Sequence, residues 1–181
     1  ALAEGAYPIH PTGNLLRQSQ IRAGEPEQAI ATADLQFKGH YQTPVVQHCH
    51  LETVTCYAYM DQPDHIIVVT STQIPQIVRS RVAKSLGLPW SSVRVIKPYM
   101  GGGFGNKQDV LEEPMAAFLS YQLGGVPVKV TLSREECFFA SRTRHGFAID
   151  GTLGISRDGT LKGYQLDVLS NTGGYASHGH S

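Results

Sequence analysis

Residues 65–97 read HIIVVTSTQIPQIVRSRVAKSLGLPWSSVRVIK. His65 to Thr70 is an unbroken β-branched run, the composition of a strand buried on both faces. After the short connection Ser71, Thr72, Gln73, Ile74, Pro75 stands at the first position of a helix. Ile77, Val78, Val82 and Leu86 make one apolar stripe on that helix, and Gly87 ends it. Val93 to Lys97 is the next strand. The stretch therefore predicts a strand, helix, strand unit, and parallel strands would require a right-handed crossover. In open α/β sheets ligands gather outside the carboxyl ends of parallel strands. The loop after Thr70 and the loop after Lys97 should then share one edge. Gln73 lies in the first of them, and its amide can both donate and accept. From the residues alone, Gln73 reads equally as a ligand contact and as a cap beside Pro75.

The loop after Lys97 is YMGGGFGNK, residues 99–107. Gly101, Gly102, Gly103 and Gly105 carry no side chains to keep a ligand from the backbone, and each tolerates positive φ. Such a segment offers bare N–H groups to an anion or a metal-oxo group, although a tight turn or bulge has the same composition. Two phosphate loops are excluded directly. A P-loop needs Gly before its Lys and Ser or Thr after it, whereas Lys107 stands between Asn106 and Gln108. A dinucleotide fingerprint started at Gly101 meets Asn106 where its third glycine belongs.

Working outward toward the start, residues 54–59 read as a strand and Leu35 to Thr43 as another, with Leu35, Phe37, Gly39 and Tyr41 alternating on one buried face. Pro26 to Ala33 is a short helix with Pro26 at its first position and Glu27 in its first turn. Residues 1–24, with Pro8, Pro11, Gly5, Gly13 and Gly24, read as an extended arm or linker. Between the strands, His48 and His50 would share one face if their segment were extended, with Glu52 as a third metal ligand. A hydrogen-bonded or surface pair explains the same spacing without a metal. Toward the end, Glu112 to Leu123 is a helix closed by Gly124 and Gly125, and Val128 to Leu132 a strand. Ser133 and Glu136 form a capping box for a short helix, so its acids are caps rather than catalysts. Phe147 to Ser156 and Leu161 to Ser170 form an antiparallel hairpin about Asp158 and Gly159. The fold class is α+β: a mixed sheet with a βαβ unit and a C-terminal antiparallel hairpin.

Composition narrows function by exclusion. The chain has 181 residues, 41% of them hydrophobic, enough for one substantial core. Fifteen basic residues balance fifteen acidic ones, so no charge excess points to nucleic acid or an anionic membrane. No apolar run approaches the roughly 18 residues that span a bilayer. The first residues lack a signal-peptide layout, which makes a cytoplasmic protein the default. Cys49, Cys56 and Cys137 lack metal-ligand spacing and are expected as buried thiols. The chain starts without Met and stops at SNTGGYASHGHS, as a fragment of a larger polypeptide would.

The ordered set STQ at 71–73, the strand SVRVIK, GGGFGNK at 101–107, LSREE at 132–136 and the closing SNTGGYASHG resembles the molybdenum-binding subunit of bacterial xanthine dehydrogenases. The resemblance covers essentially the whole chain but only a minor, central part of that subunit, so residues 25–181 would be part of a larger molybdopterin-binding domain. It implies an oxidoreductase of the molybdenum hydroxylase family that hydroxylates hypoxanthine or xanthine at a molybdenum–molybdopterin centre in purine catabolism, with the cofactor in its cytosine dinucleotide form. Electrons would leave through 2Fe–2S clusters to FAD on partner subunits or domains. By the same resemblance, the Gln73 amide hydrogen-bonds the oxo ligand of molybdenum and the Phe104 backbone N–H lies beside the metal. Gly102, Gly103, Phe104 and Gly105 would hold the pyranopterin end of the cofactor. An oxo group is a strong acceptor, so donors in a place kept clear of side chains suit it. The family's glutamate base has no counterpart before Ser181, and no catalytic residue is assigned within the chain.

One position departs from the purine-oxidising pattern. Gln108 stands where those members have a glutamate aimed at the substrate ring. An amide can hydrogen-bond a purine but supplies neither negative charge nor a shared proton. Other N-heterocycles or aldehydes therefore stay open as substrates, as does a non-catalytic, cofactor-contacting role for the isolated chain. Asn106, where a further glycine is common, still allows a left-handed turn.

Overall fold

In the computed structural model, which describes residues 2, 5–174 and 176, the elements follow the order α1 (Pro26–Ala31), β1 (Leu35–Thr43), β2 (Val46–Gln47), β3 (Thr55–Gln62), β4 (His65–Thr70), α2 (Pro75–Leu86), β5 (Val93–Ile96), α3 (Glu113–Gln122), β6 (Val128–Thr131), α4 (Arg134–Phe139), β7 (Thr143–Arg144), β8 (Gly146–Ile155) and β9 (Leu161–Asn171). β2 and β7 form a short two-stranded ribbon absent from the sequence reading. The chain divides into two compact units, residues 47–144 and residues 1–46 with 145–181.

The unit spanning residues 47–144 is built on a four-stranded sheet of order β5-β4-β3-β6. β4 and β5 run parallel, with Ile66 opposite Val93 and Val68 opposite Val95, while β3 is antiparallel to both β4 and β6. The sheet is mixed, as expected. Its core is the alternate face Cys56, Ala58, Ile66 and Val68 packed on Val78, Val82 and Ala83 of α2 and on Ala116 and Ala117 of α3. Ile67 is buried on the opposite face, which explains why β4 is apolar at every central position. The stripe on α2 is narrower than predicted. Val78, Val82 and Leu86 follow the i, i+4 row, but Ile77 is turned about 100° from Val78 and remains 48% exposed. Gly87 ends α2 in the left-handed conformation, φ 68°, as a C-cap glycine does. The capping box at α4 is present: Ser133 Oγ accepts the Glu136 N–H at 3.1 Å, and the Glu136 carboxylate accepts the Ser133 N–H at 2.7 Å.

The other unit is the antiparallel sheet β1-β8-β9. The β8–β9 hairpin turns at Gly159, φ 89°, with Asp158 accepting the Thr160 N–H. Gly154 pairs with Gly163, and α1 rests on them: a Cβ on Gly154 would stand 2.7 Å from Ile30 Cα, and one on Gly163 3.0 Å from Ala29 Cβ. β1 has its predicted bounds, but its alternating residues are not covered among the described residues. Phe37 and Tyr41 are 52% and 65% exposed. α1 packs on the face of Gly154, and the pleat puts Phe37 and its cross-strand partner Leu153 on the other. Local alternation reports a face; whether that face is covered is decided elsewhere.

Among the described residues of 1–24 the only ladder contact is the bridge between His10 and Gly13, and Asn14 ties the arm to itself, accepting the Ile9 N–H and donating to the Tyr7 carbonyl. Of the three cysteines, Cys56 and Cys137 are buried as expected, with the Cys56 thiol pushed up to about 12 by burial and by Glu113 and Glu112. Cys49 is exposed, contrary to expectation, because the chain turns there with φ 52°. Among the described residues no helix is long and apolar enough to cross a membrane. The docking of α1 is tested by Gly154→Ala. A methyl group 2.7 Å from helix backbone must displace it, so unfolding in urea should show a loss of roughly 1–3 kcal/mol. An unchanged midpoint would mean that α1 does not sit on Gly154.

Candidate functional site

Because β4 and β5 are parallel, the segments that follow Thr70 and Ile96 leave the sheet at the same edge. They meet there as the sequence predicts. The Gln73 N–H donates to the Lys107 carbonyl at 2.9 Å, and the Thr72 hydroxyl donates to the same oxygen at 3.4 Å. In return, Gly105 N–H donates to Gln73 Oε1 at 3.1 Å. That bond fixes the amide's orientation: its oxygen is turned to the loop, and its NH2 finds no acceptor among the described residues.

The glycines of residues 101–105 serve separate needs. A Cβ on Gly103 would stand 2.6 Å from Gln73 Oε1, so this residue is glycine to let Gln73 approach. One on Gly101 would stand 2.7 Å from Glu52 Cβ. Gly102 and Gly105 take φ of 96° and 98°, and between them Phe104 is left-handed as well, φ 51°. For a residue with a Cβ that conformation costs about 1–2 kcal/mol. The Phe104 ring is 63% exposed, so burial of the ring does not offset the cost. The strain aims backbone instead: the N–H groups of Gly102, Gly103 and Phe104 find no acceptor among the described residues, whereas those of Gly105, Asn106 and Gln108 do. A self-contained turn would satisfy its own donors. This loop holds several out.

Behind the loop lies a layer that the sequence reading did not identify as part of the site. The Lys107 ammonium, its side chain only 2% exposed, pairs with Glu52 at 2.6 Å. Glu52 Oε2 also accepts the Gly101 N–H at 3.0 Å, and the Glu52 N–H donates to the Gly101 carbonyl at 3.1 Å. Burial would raise the Glu52 carboxyl, but the Lys107 ammonium and the Gly101 N–H outweigh it and hold the group below the ordinary carboxylate range. His50 is fully buried, with Nδ1 bonded to the Glu52 carbonyl. Burial likewise pushes the His48 imidazole below its usual value, with Arg144 and His50 adding to the effect. Asn106 is 1% exposed and donates to Ser141 Oγ at 2.9 Å and to the Arg142 carbonyl at 3.0 Å. It does not adopt the left-handed turn its residue type allows; Phe104 does.

His48 and His50 do not share a strand face, because the left-handed Cys49 breaks the extended chain between them. Among the described residues, no three His, Cys, Asp or Glu side chains converge as metal ligands. Glu52 is instead the partner of Lys107. The sequence clue was limited to the lysine that closes the glycine-rich loop, which requires a carboxylate if its ammonium is buried. Three buried side-chain atoms around the loop, His48 Nδ1, His50 Nε2 and Asn106 Oδ1, have no partner, which suits a polar group on the loop supplied from outside these residues. Gln108 is exposed and its side chain makes no hydrogen bond to a described residue.

A family model described as the molybdopterin cofactor-binding domain matches residues 9–181. The chain is 68% identical over all 181 residues to a putative xanthine dehydrogenase molybdenum-binding subunit of Escherichia coli (strain K12), of which it spans 24%. It is 35% identical over 179 residues to the nicotinate dehydrogenase large molybdopterin subunit of Eubacterium barkeri, covering 99% of this chain and 42% of that one. In fold, it matches the aldehyde oxidoreductase of Desulfovibrio gigas with a TM-score of 0.82 and 22% identity, over 93% of this chain and 19% of that one.

The Gln73–Gly105 contact can be tested without any ligand. In Gly103→Ala the added methyl displaces Gln73 Oε1, so the Gly105 amide should lose its protection from hydrogen exchange by about tenfold or more while β4 amides keep theirs. Retained protection at Gly105 would show that the Gln73 amide is held some other way.

Proposed function

The chain belongs to the molybdopterin cofactor-binding domain family, and from that membership we propose that residues 25–181 form part of the cofactor-binding domain of a larger, xanthine dehydrogenase-type molybdenum subunit. The observation that carries the reading is the donor set at the sheet edge: the outward NH2 of Gln73 beside the free N–H groups of Gly102, Gly103 and Phe104. These residues fit an oxo-bearing group, since every one of them offers a donor, three of them through backbone N–H groups and two of those from glycines. When bound, molybdenum–molybdopterin supplies the redox centre for hydroxylation of a substrate carbon.

The chain's own residues then divide as follows. Gln73 and the Phe104 N–H orient the metal's oxo group, and Gly102, Gly103 and Gly105 admit the pyranopterin end of the cofactor, taken as the cytosine dinucleotide form. Gln108, exposed at the end of the loop, faces substrate. No residue of this chain is assigned as a catalytic base. Iron–sulfur and FAD subunits or domains complete the electron path in a cytoplasmic enzyme of purine catabolism, acting on hypoxanthine or xanthine. A second reading, the same chemistry on another N-heterocycle or an aldehyde, is favoured by Gln108 itself and by the 35% identity to a nicotinate dehydrogenase subunit.

Two substitutions in the full-length subunit test these roles. Gln73→Ala removes the NH2 donor together with the Oε1 acceptor of Gly105 N–H and leaves the core untouched, and turnover should fall roughly ten- to a hundredfold at matched molybdenum content. Unchanged turnover with full cofactor loading would show that Gln73 does not serve the metal. Gln108→Glu should change the specificity constant for xanthine by roughly ten- to a hundredfold, the value of a charge-assisted hydrogen bond of about 1.5–3 kcal/mol, and leave a small aldehyde little affected. Equal changes for purine and aldehyde would place Gln108 outside the substrate pocket.

A further inference from the structure

We propose that Glu52 and Lys107 are a positioning pair for the cofactor loop: one ion pair, its lysine buried and its carboxylate partly exposed, draws the two ends of residues 101–107 onto a single carboxylate and thereby fixes where the free donors between them point. The inference rests on the reading of this loop as cofactor-contacting.

The geometry is a closed circuit. Glu52 Oε2 holds the loop's first residue through Gly101 N–H at 3.0 Å and its last through the Lys107 ammonium at 2.6 Å. The backbone of Glu52 grips Gly101 a second time, N–H to carbonyl, at 3.1 Å. The Lys107 carbonyl in turn receives Gln73 N–H, and Gln73 Oε1 receives Gly105 N–H. Glu52 also hydrogen-bonds the side chain of Ser71, two residues before Gln73, so the one carboxylate ties the loop and the Gln73 segment together. Without the pair, a run of four glycines in five residues keeps only the hydrogen bonds made with Gln73, Asn106 and the Glu52 backbone, and glycine has the largest conformational freedom to lose. Phe104 left-handed at φ 51° is a conformation that persists only where its surroundings over-determine it. The ion pair contributes to that determination by holding the loop at both ends. A lysine with 2% of its side chain exposed is also unavailable to bind a ligand as a charge; its function is exerted through the loop.

The test uses the full-length molybdenum subunit assembled with its partners, as wild type, Glu52→Gln, Lys107→Met and the double variant. The double variant leaves no unpaired buried charge, so it keeps the proposal testable if a single variant fails to fold. Enzyme made in cells unable to synthesise molybdopterin gives the first readout, hydrogen exchange of peptides spanning residues 101–107 against peptides of β4. Enzyme loaded with cofactor gives the second, molybdenum per subunit after desalting and the Mo(V) EPR line shape. In the double variant the loop peptides should exchange about tenfold faster while β4 is unchanged, with molybdenum retention reduced at least about twofold and the EPR line shape altered in the molybdenum that remains. Loop exchange equal to wild type in the double variant would overturn the clamp. A loosened loop with wild-type molybdenum retention and line shape would overturn its positioning role, and with it the reading that the loop contacts the cofactor.

Discussion

The parallel pairing of β4 with β5 is the constraint from which the site follows. Four residue pairs, Ile66 with Val93 to Val69 with Ile96, set it. A parallel pair cannot be joined by a tight turn, so the chain must cross over, and α2 does so with Val78, Val82 and Ala83 buried against the sheet. Both strands then end at one edge, and the two segments that leave it have nowhere to go but past each other. Antiparallel pairing of the same strands would send Gln73 and Gly105 to opposite ends of the sheet. The contact between them is thus a property of topology first and of the side chain second.

What topology brings together, the loop then refines at single-atom scale. Its glycines are not interchangeable. Gly103 makes room for the Gln73 amide and Gly101 for the Glu52 methylene, whereas Gly102 and Gly105 supply left-handed backbone. Phe104 takes the same conformation at a cost, which a glycine there would avoid. Its ring is nonetheless 63% exposed, so the cost is not offset by burial of the side chain.

Most elements were legible in the sequence because they rest on local chemistry. The βαβ unit, the capping box at Ser133 and Glu136, and the hairpin about Gly159 each carry a periodicity or a turn signal that acts within a few residues. The antiparallel pairing of β1 with β8, more than a hundred positions apart, leaves no local mark. The exposed face of Phe37 and Tyr41 shows the same limit, since alternation gives a side and not what lies against it. At the site, Gln73 and the glycine loop could be placed from topology alone, but Glu52 could not. Its spacing from His48 and His50 suggested a ligand set, and only the fold shows that Lys107, fifty-five positions later, is the partner that holds it.

Lys107 also settles why a glycine-rich loop followed by lysine need not be a phosphate loop. In a P-loop the lysine is free to meet the phosphates as a point charge. Here the ammonium is buried and neutralised by Glu52, facing the protein. Gln73 is restricted in a parallel way: with Oε1 accepting from Gly105 N–H, its NH2 is left as the group free to donate. The groups left at this edge are therefore dipoles, peptide N–H and carboxamide NH2, with no uncompensated charge among Glu52, Lys107 and Gln73. Such a set discriminates by geometry more than by net charge. A polyphosphate, whose binding draws on full cations, gains little from it, whereas a compact acceptor such as an oxo group can take several short hydrogen bonds at once. The ion pair and the neutral donors belong to one arrangement, in which a single carboxylate oxygen holds both ends of the backbone that carries the donors.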